Sequence, residues 1–105
     1  MTEAAAPAVA VVIPCFNQAH YLAEAIESVL GQTRPPAELL VVDDGSEDNS
    51  YEVAGRYETV TRIQQRNRGV AAARNAGWKA SDSEFLAFLD ADDRLLPDAL
   101  EIGAL

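Results

Sequence analysis

At 105 residues the chain suits one domain with a modest core, and its 49% hydrophobic and 24% charged residues are ordinary for a globular protein. The net charge of -9 argues against nucleic acid, which needs stripes of Lys and Arg, but a nucleotide still fits if a metal ion bridges the like charges. Cys15 is the sole cysteine, which excludes an internal disulfide and points to a reducing, cytoplasmic setting.

Met1 to Ala8 is alanine-rich, broken by Pro7 and without a basic start, so it reads as a loose leader (1–8) to a domain over 9–105, not as a signal peptide. No apolar run approaches the ~20 residues of a membrane helix. Val9 to Ile13 is a continuous Val/Ile-rich run, as expected of a strand covered on both faces, with Pro14 ending it. Asn17 suits the cap of a helix in which Leu22, Ile26, Val29 and Leu30 recur on one face and Glu24 and Glu27 on the other; Gly31 closes it.

A second buried strand, Leu39 to Val42, runs into Asp43-Asp44-Gly45-Ser46, and a helix is predicted over 47–57. Val60 to Gln64 reads as a third strand and 66–69 as a loop. Val70 to Ala80 reads as a helix dense enough in alanine to lie close to a sheet. After a turn at 81–83, Phe85 to Leu89 forms a fourth strand ending in Asp90-Ala91-Asp92-Asp93, and Pro97 opens a last helix. The β-α-β-α-β-α-β-α order predicts a mainly parallel sheet with helices on both faces, which binds ligands beyond the carboxyl ends of its strands.

The polar residues gather at those ends: Asn17, then Asp43 and Asp44, then Asn67 and Arg68, then Asp90 and Asp92. Alternation along an extended chain places Asp90 and Asp92 on one side, where their mutual repulsion is relieved by a hard cation such as Mg²⁺ shared with a diphosphate. The competing reading is a polar turn capping the last helix, a role that suits Asp93 and Asp98. Asp43 and Asp44 fit a turn with Gly45 at positive φ, and equally a carboxylate that accepts from a ribose or a base N–H. Arg68, beside a helix start that favours anions, and Arg74 are the cationic complement; Arg74 either pairs with a strand-end aspartate or touches a base. His20 reads as solvated, Cys15 as packed and Trp78 as a core or helix-packing residue. A Gly-x-Gly-x-x-Gly loop, a Gly-Lys-Ser/Thr loop and a zinc-type Cys/His cluster are all absent.

Four stretches in series, VVIPCFNQAHYLAEAIESVLGQT, LLVVDDGSEDNS, NRGVAAARNAG and FLAFLDADDRLLPDAL, resemble the N-terminal half of a family 2 glycosyltransferase. The resemblance implies the Rossmann-like GT-A fold of nucleotide-diphospho-sugar transferases. It also implies transfer of a sugar, with inversion, from a donor that is often UDP-linked to a sugar or lipid-linked acceptor whose identity no motif names. Carried over, the backbone at Pro14 and Phe16, with Asn17, lines the nucleotide pocket. Asp43 or Asp44 contacts the base with Arg74 near it, Asp90 faces the ribose or the metal's waters, and Asp92 coordinates Mn²⁺ or Mg²⁺. Family members run further and carry the acceptor site and general base in their later half, so the resemblance puts the catalytic base beyond Leu105. The chain is therefore expected to be a truncated piece, inactive alone, with any membrane association arising elsewhere and with an apolar fourth strand open to self-association.

Three rivals remain. A haloacid-dehalogenase-type phosphatase places its Asp-x-Asp after the first strand, and a receiver domain places paired acids there; Pro14-Cys15 stands at that position instead. A non-catalytic nucleotide-sugar-binding or assembly module would keep the same motifs.

Overall fold

The computed structural model describes residues 8–103, and side chains as far as Glu101. The predicted leader, apart from Ala8, lies outside the described residues, and so does Leu105, past which the general base is expected. The elements are β1 (Val9–Cys15), α1 (Ala19–Leu30), β2 (Glu38–Asp44), α2 (Ser50–Ala54), β3 (Val60–Gln65), α3 (Val70–Ala80), β4 (Phe85–Phe88) and α4 (Ala99–Gly103). All three strand pairings are parallel, in the order β3-β2-β1-β4. Every strand therefore delivers its carboxyl end to one rim.

The two faces carry unequal cores. Val11, Ile13, Leu39 and Val41 point to the side covered by α1, through Leu22, Ala25, Ile26 and Val29, and by Val53 of α2. Ala10, Val12, Leu40 and Val42 point to the other side, where α3 packs through Ala73. That helix lies close because it carries glycine at the contact: a Cβ on Gly77 would come within 2.4 Å of Val12 Cγ1.

Several boundaries differ from the sequence reading. Pro14 does not end β1, which runs on to Cys15. Val12 turns its carbonyl toward the β4 side, accepting from Leu89 N, and Pro14 shares that parity. Its missing N–H thus faces the side on which β4 has already stopped. Asn17 is not the cap of α1: it sits at φ 52, Gln18 precedes the helix, and the Asp48 carboxylate takes the Ala19 N–H instead. β2 extends two residues further than predicted, taking Asp43 and Asp44 into the sheet opposite Gln64 and Gln65. The helix expected over 47–57 is only Ser50–Ala54, because residues 46–48 bind the neighbouring β1–α1 loop. β4 stops at Phe88, and Pro97 lies in a turn ahead of α4. Trp78 is 57% exposed and belongs to neither core.

Candidate nucleotide and metal site

At the rim, the β1–α1 and β2–α2 loops are stitched together. Asn17 N donates to Ser46 Oγ at 2.9 Å, Glu47 N to Asn17 Oδ1 at 2.8 Å, and Ala19 N to Asp48 Oδ2 at 3.1 Å. Burial pushes the Asp48 carboxyl up, but hydrogen bonds from Ser50 and Ala19 outweigh it and hold the group below its ordinary value. Pro14 is buried and Phe16 stands 44% exposed beside this seam.

The paired aspartates of β2 point to opposite faces, as strand alternation requires. Asp43, 1% exposed, turns toward the α1–α2 side and accepts from Ser46 N and Gln64 Nε2. Asp44, 3% exposed, turns toward α3 and accepts from Gln65 Nε2 and Arg68 N, both at 2.8 Å, and from Gly69 N at 2.9 Å. Burial raises the Asp44 pKa, yet those three donors together bring it below the ordinary value. The N–H groups that made the α3 start look receptive to an anion near Arg68 are thus occupied by the protein's own carboxylate. Gly45, at φ 76, permits the tight exit; a Cβ there would meet Asn67 N at 2.6 Å.

Cys15 is buried and unpaired. Burial raises its pKa, against weaker opposition from hydrogen bonds with Ser50 and Gln18, and the nearby Asp43 and Asp48 charges raise it further. The packed, unreactive reading holds. His20 is exposed in the first turn of α1, as expected.

Beyond β4 the acids come together by a different route from the one predicted. Asp90 to Asp93 form a turn closed by Asp93 N on Asp90 O at 2.9 Å, not an extended pair. The turn adds a third carboxylate: oxygens of Asp90, Asp92 and Asp93 all lie within 4.8 Å of one another, each side chain exposed. The sequence suits Asp93 to capping the last helix; the i to i+3 spacing of a turn is the signal that brings it back beside Asp90. Arg74 Nη2 lies 3.5 Å from Asp90 Oδ1, and its guanidinium sits 5.9 Å from the Phe88 ring centroid. Its Nε is buried with no partner among the described residues. An all-oxygen cluster of three carboxylates suits a hard divalent ion, with one arginine offsetting part of the charge. Asp44 ends β2 and Asp90 follows β4 by two residues; β1 alone separates those strands, so the two strand ends share the rim at a lateral spacing on the order of 10 Å.

Comparison with known proteins places this rim in context. The model of the family described as glycosyl transferase family 2 matches residues 10–104. An uncharacterized glycosyltransferase of Rickettsia felis is 43% identical over 97 residues, which are 90% of this chain and 16% of that protein. The crystal structure of S. aureus TarS 1-349 in complex with UDP superposes with a TM-score of 0.85 at 28% identity, covering 92% of this chain and 31% of that one. The mannosyltransferase PcManGT from Pyrobaculum calidifontis, in complex with GDP-Man and Mn²⁺, superposes at 0.82 with 26% identity, covering 93% and 31%. The chain thus spans under a third of the length of each, and its fold is the GT-A arrangement of these transferases.

Proposed function

The chain belongs to glycosyl transferase family 2, and from that premise we propose that it binds the nucleotide-diphosphate sugar and the metal for an inverting sugar transfer carried out by the whole protein, with UDP as the carrier. The observation that carries this reading is the convergence of the β2 aspartates, Arg74 and the Asp90–Asp92–Asp93 cluster on one rim. The complexes of the two structural relatives with UDP, and with GDP-Man and Mn²⁺, support it.

The residues divide the work as follows. Pro14, Phe16 and Asn17 line the nucleotide pocket, along the seam between the first two loops. Asp43 or Asp44 accepts from the base through lone-pair capacity left by its internal donors, held rigid by burial, and Arg74 stands beside the base. Asp92 and Asp93 hold Mn²⁺ or Mg²⁺, and Asp90, steadied by Arg74, faces the ribose or the metal's waters. The chemistry such an ion supplies is neutralisation of the charge that builds on the departing diphosphate. Residues 9–105 make up the donor-binding domain in this proposal, the general base belongs to the whole protein beyond Leu105, and the setting is cytoplasmic. The exposed apolar edge of β4, with Phe85 at 54% and Phe88 at 46% exposure, supports self-association.

Isothermal titration of UDP into the chain, with and without Mn²⁺, tests the site. Binding is expected to need the metal and to be lost in Asp92→Ala. Metal-independent binding that the substitution leaves untouched would refute the metal assignment.

A further inference from the structure

Between β4 and α4 the chain has little regular structure, yet it carries three mutually repelling carboxylates within 4.8 Å. Something must fix its path. On the upstream side the anchor is apolar: Leu89 and Ala91 are buried at 6% and 3% exposure, and Leu89 N donates to Val12 O. Downstream the anchor is polar, and it comes from the far end of α1.

There Gln32, only 6% exposed, spends its side-chain amide on the backbone of this strap. Its Nε2 donates to Leu96 O at 2.6 Å and to Ser28 O at 2.9 Å, and its Oε1 accepts from Leu100 N at 2.9 Å. Ser28 Oγ accepts from Leu95 N at 3.0 Å while donating to Ala25 O at 2.7 Å. Thr33 N donates to Pro97 O at 2.8 Å, and Thr33 Oγ1 bonds Glu101 Oε1 at 2.7 Å. Residues 28–33 thus grip 95–101 across sequence separations of 64 to 68. Nearly all these contacts are to backbone, so they dictate where the strap runs whatever its side chains are. Apolar packing shares the task through the buried Leu100 and the half-buried Leu95, while Leu96 beside Leu95 is 73% exposed and is held through its carbonyl.

We infer that Gln32, seconded by Ser28, is a positioning residue for the carboxylate cluster: it fixes the strap so that Asp92 and Asp93 stay beside Asp90 and present their oxygens to one divalent ion. This rests on the metal site proposed above and extends it to residues that never touch the ion. Partners that hydrogen-bond the ligands directly are worth ~10- to 100-fold in metal affinity, and a grip on the backbone two or more residues from the carboxylates belongs at the lower end of that range.

The test is a Mn²⁺ titration followed by electron paramagnetic resonance, on the wild-type chain, Gln32→Met, Ser28→Ala, Ser28→Thr and Asp92→Ala. Gln32→Met keeps the length of the side chain and loses all three bonds, so Mn²⁺ affinity should fall at least ~10-fold. Ser28→Ala should lose less, and Ser28→Thr, which restores the hydroxyl, should return to within about twofold of wild type. Amide exchange in β1 and β2 should match wild type in each variant, which separates positioning from unfolding. If Gln32→Met fails to fold, the Ser28 pair decides alone, and equal affinities for Ala and Thr overturn the inference. Wild-type Mn²⁺ affinity in a folded Gln32→Met overturns it while Asp92→Ala still shows the site to be real. If the wild-type chain binds no Mn²⁺, the metal site itself falls and takes this inference with it.

Discussion

Replacing Asp44 with asparagine should unfold the rim from within. The carboxylate is 3% exposed and receives three donors at 2.8, 2.8 and 2.9 Å, two of them backbone N–H groups at the start of α3. Asparagine keeps one acceptor oxygen and turns the other position into an NH₂. That NH₂ then confronts either Gly69 N or the pair Gln65 Nε2 and Arg68 N, donor against donor. A hydrogen bond to a charged group contributes about 1.5–3 kcal/mol and a stranded buried donor costs about 1–3. These terms overlap, so a net loss of about 2–4 kcal/mol is expected, from a total typically of about 5–15. The pH dependence supplies a second signature. The folded pKa lies below the ordinary value of 3.8, so the contribution is fully present above that value and is lost as pH falls through the lower, folded one. Urea unfolding followed by far-UV circular dichroism should therefore separate wild type from Asp44→Asn widely at pH 7 and less as the pH drops below 3.8. A variant within about 0.5 kcal/mol of wild type at pH 7, or a gap that does not narrow in acid, would refute the account of Asp44 as a charged clamp.

Three further outcomes are expected. Gly77→Ala should destabilise by about 1–3 kcal/mol despite alanine's better helix propensity, because its Cβ would overlap Val12; a raised melting temperature would show that α3 can back away from the sheet. Cys15 should react slowly with a thiol reagent at pH 8 in the native chain and quickly in urea, since burial keeps it protonated; equal rates would contradict its packed position. Phe85→Lys, on the exposed edge strand, should lower any concentration-dependent association seen by light scattering; unchanged association would move the contact away from β4.

The order and direction of the elements were legible because each strand announces itself locally. Val9 to Ile13 and Leu39 to Val42 are apolar runs with turn residues behind them, and α3 matches its predicted span of 70–80 at both ends. The errors fall where a residue's fate is decided by a distant partner. Nothing near Asp43 and Asp44 says that two acids can be buried in a strand; Gln64 and Gln65, twenty-one residues on, make it possible. Asn17 has the chemistry of a cap, but Asp48 takes that task from across the rim, which leaves the Asn17 side chain free to hold Glu47 N. Nothing in the sequence singles out Gln32, because its partners on the strap, Leu96 and Leu100, lie 64 and 68 residues away. Periodicity reports which face is buried and is silent on which polar groups meet.

That distinction bears on how an acidic chain could take an anionic ligand. The β2 aspartates are buried: most of their acceptor capacity goes to N–H donors that hold loops in place, and what is left is enough for one further donor but presents little charge outward. The outward negative charge at the β4 side is the Asp90–Asp92–Asp93 turn, faced by Arg74 at 3.5 Å from Asp90 alone. A phosphate oxygen about 6 Å from each carboxylate would meet a repulsion of about 0.7–3 kcal/mol per charge pair for an effective dielectric between that of water and 20. One arginine offsets at most one such pair. On the proposed reading, then, a divalent cation is what turns the cluster from a barrier into a seat for the diphosphate. Removing metal should weaken donor binding far more than removing Arg74. If Arg74→Ala abolished UDP binding while chelation left it intact, the charge at this rim would be arranged on a different principle from the one argued here.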